Sequence, residues 1–233
     1  MKRFFLIAVL AFLLVGCEKE ASVMATEDTA VTTTEVTVMT EAPLPLCVSP
    51  LASEHFLEPL DDYSWEREFD TEYVMIHFTS AVMLSRDNPY DIAAVRKIFE
   101  DGGVSIHYLI DREGGIYCYM PETRAAWHAG KGTFADDERL TDKMNKYSVG
   151  IELLAIGSEN DMAQYLSKGE YRSLDKSLIG YTDAQYESLS RLVKDICERN
   201  SIPFDRDHII GHEEYNLQKS DPGELFDWDR LVK

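Results

Sequence analysis

Near the C-terminus, the stretch GHEEYNLQKSDPGELFDW brings together an imidazole, an ammonium and a carboxylate, as His212, Lys219 and Asp221. Imidazole nitrogen and carboxylate oxygen are both ligands that Zn²⁺ accepts. A histidine at a strand end and an aspartate in the following loop can therefore reach one ion, with a lysine beside it. A third protein ligand must come from elsewhere in the chain.

His77 is the best candidate for that third ligand. It lies in YVMIHFTS, where the preceding apolar residues predict a buried strand that delivers the imidazole at its C-terminal end. Three protein ligands leave one position of a tetrahedral ion open for water. Each residue alone also has an ordinary role, since Asp221 before Pro222 is typical of a turn and Lys219 of a surface charge. Only their convergence in space makes them functional.

A second apolar strand carries a carboxylate. In SVGIELL, Val149, Ile151 and Leu153 face one way and Glu152 faces the other, so its carboxylate projects from a rigid element.

Helices are predicted around these strands. Asn88 and Pro89 are expected to begin one that ends at Gly102 and Gly103, with an apolar stripe of Ile92, Val95 and Phe99. A hairpin over 104–110 and 116–120 follows, joined by DREGG. Strands interleaved with helices predict an α/β or α+β fold, with helices on a mixed central sheet.

A long helix begins at the capping box of Thr182 and Gln185, ends near Asn200, and leads to a strand over 208–210. The polar stretches 131–146 and 157–181 are interpreted as loops that frame a cleft, with a short helix near 162–166. Trp127 is expected in the core.

The N-terminus predicts export. Lys2 and Arg3 precede an apolar run over 4–16, which is shorter than the roughly 20 residues that span a bilayer and typical of a signal peptide. The run ends in LVGC, which resembles a bacterial lipobox with Cys17 as the lipidated residue. We therefore expect a signal peptide over 1–16, a lipid-anchored disordered tether over 17–50 and a folded domain over 51–233. The expected location is the bacterial cell envelope, with the protein lipid-anchored to a membrane (the outer membrane or periplasm if the cell is Gram-negative).

The net charge of the chain bears on which classes of binding partner are expected. Twenty-three basic against 42 acidic residues give a net charge of -19, which argues against binding to nucleic acid or adhesion to anionic lipid. A monomer is the default expectation. Cys47, Cys118 and Cys197 remain after Cys17, so at most one disulfide is possible, and Cys118 and Cys197 are expected as buried thiols.

Taken in order, the motifs IHFTS, VSIHYLIDREGGIYCYMPETRAAWHAG, NKYSVGIEL, YTDAQYESLSRLV and IIGHEEYNLQKSDPGELFDW resemble the zinc N-acetylmuramoyl-L-alanine amidases of the amidase-2 family, which are relatives of peptidoglycan recognition proteins and phage T7 lysozyme. The resemblance runs from about residue 73 to residue 228. It implies one Zn²⁺ held by His77, His212 and Asp221. It also implies that Glu152 acts as general acid and base and Lys219 as the transition-state cation.

Two further histidines are implied as substrate contacts. His107 aligns with a family position that lines the site, although a structural role is equally open, and His128 resembles a substrate-contacting imidazole. The implied reaction is hydrolysis of the amide between N-acetylmuramic acid and L-alanine in peptidoglycan or its fragments. The alternative is a peptidoglycan-binding lipoprotein without catalysis, against which the five retained residues argue.

Overall fold

The computed structural model describes residues 47–232 and contains eight strands and five α-helices in that range. The strands are β1 (Ser53–Glu54), β2 (Ser64–Glu66), β3 (Tyr73–Thr79), β4 (Tyr108–Ile110), β5 (Ile116–Cys118), β6 (Arg124–Ala126), β7 (Ser148–Leu154) and β8 (Ile209–Gly211). The helices are α1 (Leu60–Tyr63), α2 (Ile92–Gly102), α3 (Lys168–Arg172), α4 (Asp183–Asn200) and α5 (His212–Tyr215).

Six strands form one mixed sheet in the order β1-β5-β4-β7-β3-β8, and β2 pairs with β6 in a separate antiparallel ribbon. Only β4 and β5 pair antiparallel in the large sheet, as expected for a hairpin, and the other neighbours run parallel. The predicted mixed sheet with flanking helices is confirmed. Its central strands β7 and β3 are the longest.

Helix α4 covers one face of the sheet, where apolar side chains of the helix pack against alternate residues of β3 and β7. This core includes Val74, Ile76, Val149, Ile151, Leu153, Leu189, Leu192, Val193 and Ile196. On the opposite face, Val95 and Phe99 of α2 pack with Leu109. Because strand side chains alternate between faces, the residues between those of the α4 core point to this second face.

The ends of the helices depend on local hydrogen bonds. Helix α4 begins at the predicted capping box of Thr182 and Gln185. Helix α2 begins three residues later than predicted, because Asp91, and not Asn88, caps it by accepting from the backbone N–H of Ala94. The backbone N–H of Asn88 instead donates to Ser85 Oγ. Gly103 ends α2 with φ of 59°.

Two other predictions of local structure were wrong. Residues 162–166 form turns, and the short helix of this segment is α3, where Ser167 supplies a capping box with Glu170. Trp127 is 47% exposed and its ring lies 4.1 Å from that of Trp65, so it lies outside the core.

The described chain is attached to the sheet from its first residues. The carbonyl of Cys47 accepts from the backbone N–H of Glu122, and the N–H of Ser49 donates to the hydroxyl of Tyr108. Residues 47–50, assigned to the tether by sequence, thus lie against the domain, whereas Cys17 lies outside the described residues.

Cys47, Cys118 and Cys197 are free thiols. No helix within residues 47–232 has the length and apolar character needed to cross a bilayer.

Candidate functional site

The site is built on three neighbouring strands. His77 on β3 is the register partner of Glu152 on β7, and Ile76 is the partner of Gly211, the last residue of β8. His212 follows Gly211 directly, so the three functional side chains stand in one row at the C-terminal ends of parallel strands. They lie on the face of the sheet opposite α4.

Asp221 completes a cluster with the two histidines. His77 Nδ1 lies 3.0 Å from His212 Nδ1, and Asp221 Oδ2 lies 2.9 Å from both nitrogens. Both imidazoles are buried and the Asp221 side chain is 15% exposed. One ligand atom from each residue lies within 4.8 Å of the other two, the arrangement needed to hold a metal ion. The predicted convergence is therefore present.

The protonation states of His77 and Asp221 are compatible with binding of a cation. Burial and the neighbouring His212 lower the pKa of His77 to about 4, so its imidazole is neutral near pH 7. Burial raises the pKa of Asp221, but the two imidazoles outweigh that effect and hold it below its ordinary value. The neutral imidazole of His77 and the carboxylate of Asp221 both present lone pairs to the space between the three residues. A divalent metal of the zinc type fits this donor set.

Glu152 lies beside the cluster with an unusual environment. Its Oε2 atom is buried and has no hydrogen-bond partner among the described residues. Burial and the negative charge of Asp221 raise the pKa of Glu152 well above its ordinary value, and the positive charge of Lys219 opposes that rise. Lys219 itself is exposed in the loop before Asp221. A buried carboxyl group that favours its protonated form is suited to hold and return a proton.

Residues 67–224 match the family described as N-acetylmuramoyl-L-alanine amidase, which is more than half of the chain. The chain belongs to this amidase family. The 1,6-anhydro-N-acetylmuramyl-L-alanine amidase AmpD of Salmonella typhimurium is 34% identical over 131 residues, which are 55% of this chain and 55% of the relative. The N-acetylmuramoyl-L-alanine amidase AmiD of Escherichia coli is 32% identical over 141 residues, 57% of this chain and 45% of that protein. The chain thus spans about half the length of the curated relatives it matches.

Solved structures agree with the family assignment. A complex of E. coli AmiD with the substrate anhydro-N-acetylmuramic acid-L-Ala-D-gamma-Glu-L-Lys has a TM-score of 0.51 and 27% identity, covering 72% of this chain and 57% of that chain. An AmpD crystal structure has a TM-score of 0.54 at 24% identity, covering 79% of this chain and 96% of that one, and supports the fold alone.

An apolar groove of about 350 Å³ opens beside Asp221. Its lining includes Phe78, Val82, Met83, Leu84, Met162 and Tyr165. Tyr165 and Asp221 line the same groove, and burial and the charges of Asp221 and Glu152 raise the pKa of the Tyr165 phenol. Tyr165 could not be recognised from the sequence, because segment 157–181 has no apolar periodicity that would orient its side chains.

A buried aspartate connects that segment to the loop of Asp221. Asp161 Oδ2 accepts from the backbone N–H groups of Ser158 at 2.8 Å and Glu224 at 3.2 Å. Gly157 and Gly223 leave room for it, because a Cβ at either position would lie within 2.7 Å of an Asp161 side-chain atom. Asp161 thus fixes the backbone that follows Asp221, another contribution that the sequence did not reveal.

His107 does not reach the groove. It is fully buried, its Nδ1 accepts from the backbone N–H of Gly150 at 3.0 Å, and its Nε2 donates to the carbonyl of Arg124 at 3.0 Å. Burial and the charge of Arg67 lower the pKa of His107 to about 3. Of the two roles left open by sequence, the structure favours the structural one. His128, in contrast, contacts His77 directly.

Proposed function

We propose that this chain is a zinc-dependent amidase that hydrolyses the bond between N-acetylmuramic acid and L-alanine in peptidoglycan or its fragments. The observation that carries the proposal is the convergence of His77, His212 and Asp221 on one point, in a row with Glu152. The activity named for the relatives AmpD and AmiD, and the substrate in the AmiD complex, support cleavage of the same bond. One ion per chain would be held by the three ligands.

The residues around the cluster supply the groups that amide hydrolysis requires. Zn²⁺ bound here would supply Lewis acidity toward water and the scissile carbonyl. Glu152 accepts a proton from the attacking water as its oxygen bonds to the carbonyl carbon. Glu152 then gives that proton to the leaving nitrogen as the carbon–nitrogen bond breaks. The raised pKa of Glu152 makes its carboxylate a stronger base toward the proton of water in the first step.

Lys219 stabilises charge in the transition state, and the groove positions the substrate. The Lys219 ammonium faces the negative charge that develops on the carbonyl oxygen, a contribution of about 3 to 4 kcal/mol for one well-placed donor. The groove of Phe78 and Tyr165 provides an apolar surface next to Asp221 for the uncharged part of the substrate.

Digestion of purified muropeptides followed by mass spectrometry tests the proposal. We expect free stem peptides that begin with L-alanine after treatment with the zinc-loaded protein, and none after treatment with Glu152→Gln. Intact stem peptides on every muramic acid would contradict the proposal. Retention on sacculi without cleavage would instead support the non-catalytic peptidoglycan-binding lipoprotein.

The location is a second part of the proposal. We propose lipidation at Cys17 and attachment to a membrane of the bacterial envelope as a monomer, on the strength of the lipobox-like LVGC sequence. Metabolic labelling with a fatty acid, with Cys17→Ser as control, tests the anchor. Equal labelling of both proteins would refute it, and sedimentation of the Cys17→Ser protein tests the monomer.

A further inference from the structure

A chain of three hydrogen bonds leads from His77 to the protein backbone. His77 Nε2 lies 3.0 Å from His128 Nδ1, and His128 Nε2 lies 3.2 Å from Ser148 Oγ. The Ser148 hydroxyl then donates to the carbonyl of Met144 at 2.8 Å. Ser148 is fully buried, so its hydroxyl has no solvent alternative to these partners.

The carbonyl at the end of the chain fixes the direction of every bond in it. A carbonyl only accepts, so Ser148 must use its one proton on Met144 and accept from His128 Nε2–H. The Nδ1 atom of His128 then carries a lone pair and accepts from His77 Nε2–H. A neutral His77 consequently has its own lone pair on Nδ1, the atom that faces Asp221.

The second imidazole is oriented by the same rule. His212 Nε2 lies 2.9 Å from the carbonyl of Ala129, to which it can only donate, so its Nδ1 also carries the lone pair. His128 and Ala129 are consecutive residues, and their backbone N–H groups both donate to Oδ1 of Asn145, at 3.1 and 2.8 Å. One short segment, fixed by Asn145, therefore orients both histidines.

Gly150 makes room for this arrangement. A Cβ at position 150 would lie 2.6 Å from His128 Nδ1 and 2.6 Å from Ile106 Cδ1. Such distances are too short for real contacts, so any side chain at this position would displace the imidazole of His128. Position 150 in the SVGIELL strand therefore requires glycine for His128 to keep its place beside His77.

We infer that His128 and Ser148 are positioning residues that hold His77 in the Nε2-protonated tautomer required for metal binding. The inference rests on the proposed function only in taking His77 as a metal ligand. It replaces the substrate-contact role expected for His128 from the sequence, because both ring nitrogens of His128 are already engaged within the protein. Partners of this kind typically change metal affinity by 10- to 100-fold.

The zinc dissociation constant of the purified protein, measured by competition with a chromogenic chelator, tests the inference. We expect His128→Leu to weaken zinc binding by roughly 10- to 100-fold. His128→Asn should recover most of this loss, because its carbonyl oxygen can replace Nδ1 as the acceptor for His77. Ser148→Ala should weaken binding by a smaller factor. The matched control is Ser188→Ala, which removes another buried serine that donates to a carbonyl, that of Gly114, outside the site.

Two results would overturn the inference. One is a zinc affinity of folded His128→Leu or Ser148→Ala within twofold of the wild type. The other is an Nδ1-protonated His128 in the wild type, seen in ¹⁵N–¹H correlation spectra of the imidazoles, a measurement that needs no variant to fold. Both readouts are independent of hydrolysis. A protein that binds zinc in the predicted order of variants but releases no peptide would contradict the proposed function and leave this inference intact.

Discussion

His77 and Glu152 are register partners on adjacent parallel strands, so an imidazole of the three-residue cluster shares one face of the sheet with a carboxyl oxygen that has no hydrogen-bond partner within residues 47–232. The spacing of parallel strands sets their separation at roughly 5 Å between backbones. The pairing of these two central strands therefore places the imidazole and the carboxyl group side by side.

Glu152→Gln is expected to abolish most of the amidase activity while leaving zinc binding intact. The amide has nearly the shape of the carboxyl group but cannot accept the proton of water, and general acid and base catalysis is worth about 10²- to 10⁴-fold. The measurement is peptide release from muropeptide, with zinc content determined on the same sample. More than a tenth of the wild-type rate in a zinc-loaded variant would remove Glu152 from the mechanism.

The same variant also predicts a difference in the pH dependence of stability. Because the pKa of Glu152 is raised in the folded protein, the folded state binds the proton more tightly than the unfolded state. The contribution of Glu152 to stability is therefore present below the ordinary pKa near 4.5 and declines as pH rises from there. In metal-free protein, denaturant titration at pH 5 and pH 8 should show a larger decline for wild type than for Glu152→Gln. Equal declines would contradict the prediction.

Lys219→Ala should reduce activity without reducing stability. The side chain is exposed, so its removal leaves no buried group unpaired, but the loss of a donor to the developing oxyanion typically costs about 10²- to 10³-fold in kcat. Steady-state kinetics and thermal melting measure the two effects. Lys194→Ala, an exposed lysine on α4 and on the far face of the sheet, is the control and should keep full activity.

Removal of the metal should lower the melting temperature. A ligand present at about 100 times its dissociation constant stabilises the folded state by about 2.7 kcal/mol. We expect a chelator to lower the Tm, excess Zn²⁺ to restore it, and Asp221→Ala to melt at the same temperature with or without the ion. A zinc-dependent shift of full size in Asp221→Ala would mean that the ion binds elsewhere.

Asp161→Ala should destabilise the protein and weaken the zinc site together. Asp161 is buried and accepts two backbone N–H groups, and the loss of buried hydrogen bonds typically costs about 1 to 3 kcal/mol. Its control is Asp175→Ala, an exposed aspartate that accepts from Ser177 away from the site. Denaturant titration and zinc competition measure the two effects, and normal zinc affinity in a destabilised variant would separate the site from this loop.

The sequence was informative where function depends on strand ends. His77 follows a continuous apolar run and Glu152 lies in an alternating apolar pattern, and both patterns predict a strand from which the side chain projects. Tyr165 and Asp161 lie in a polar segment without such a pattern, so their contacts arise only from tertiary packing. The sequence left a structural role and a site role equally open for His107 and indicated substrate contact for His128, because the groups that meet their ring nitrogens are set by tertiary packing.

The carbonyl groups of Met144 and Ala129 belong to the main chain, and no side-chain replacement can remove them. The tautomers inferred for His77 and His212 are therefore set by backbone acceptors and not by other side chains alone. A substitution at His128 or Ser148 can break the hydrogen bonds between these carbonyls and the histidines. The carbonyl acceptors themselves remain in any variant that keeps this backbone conformation.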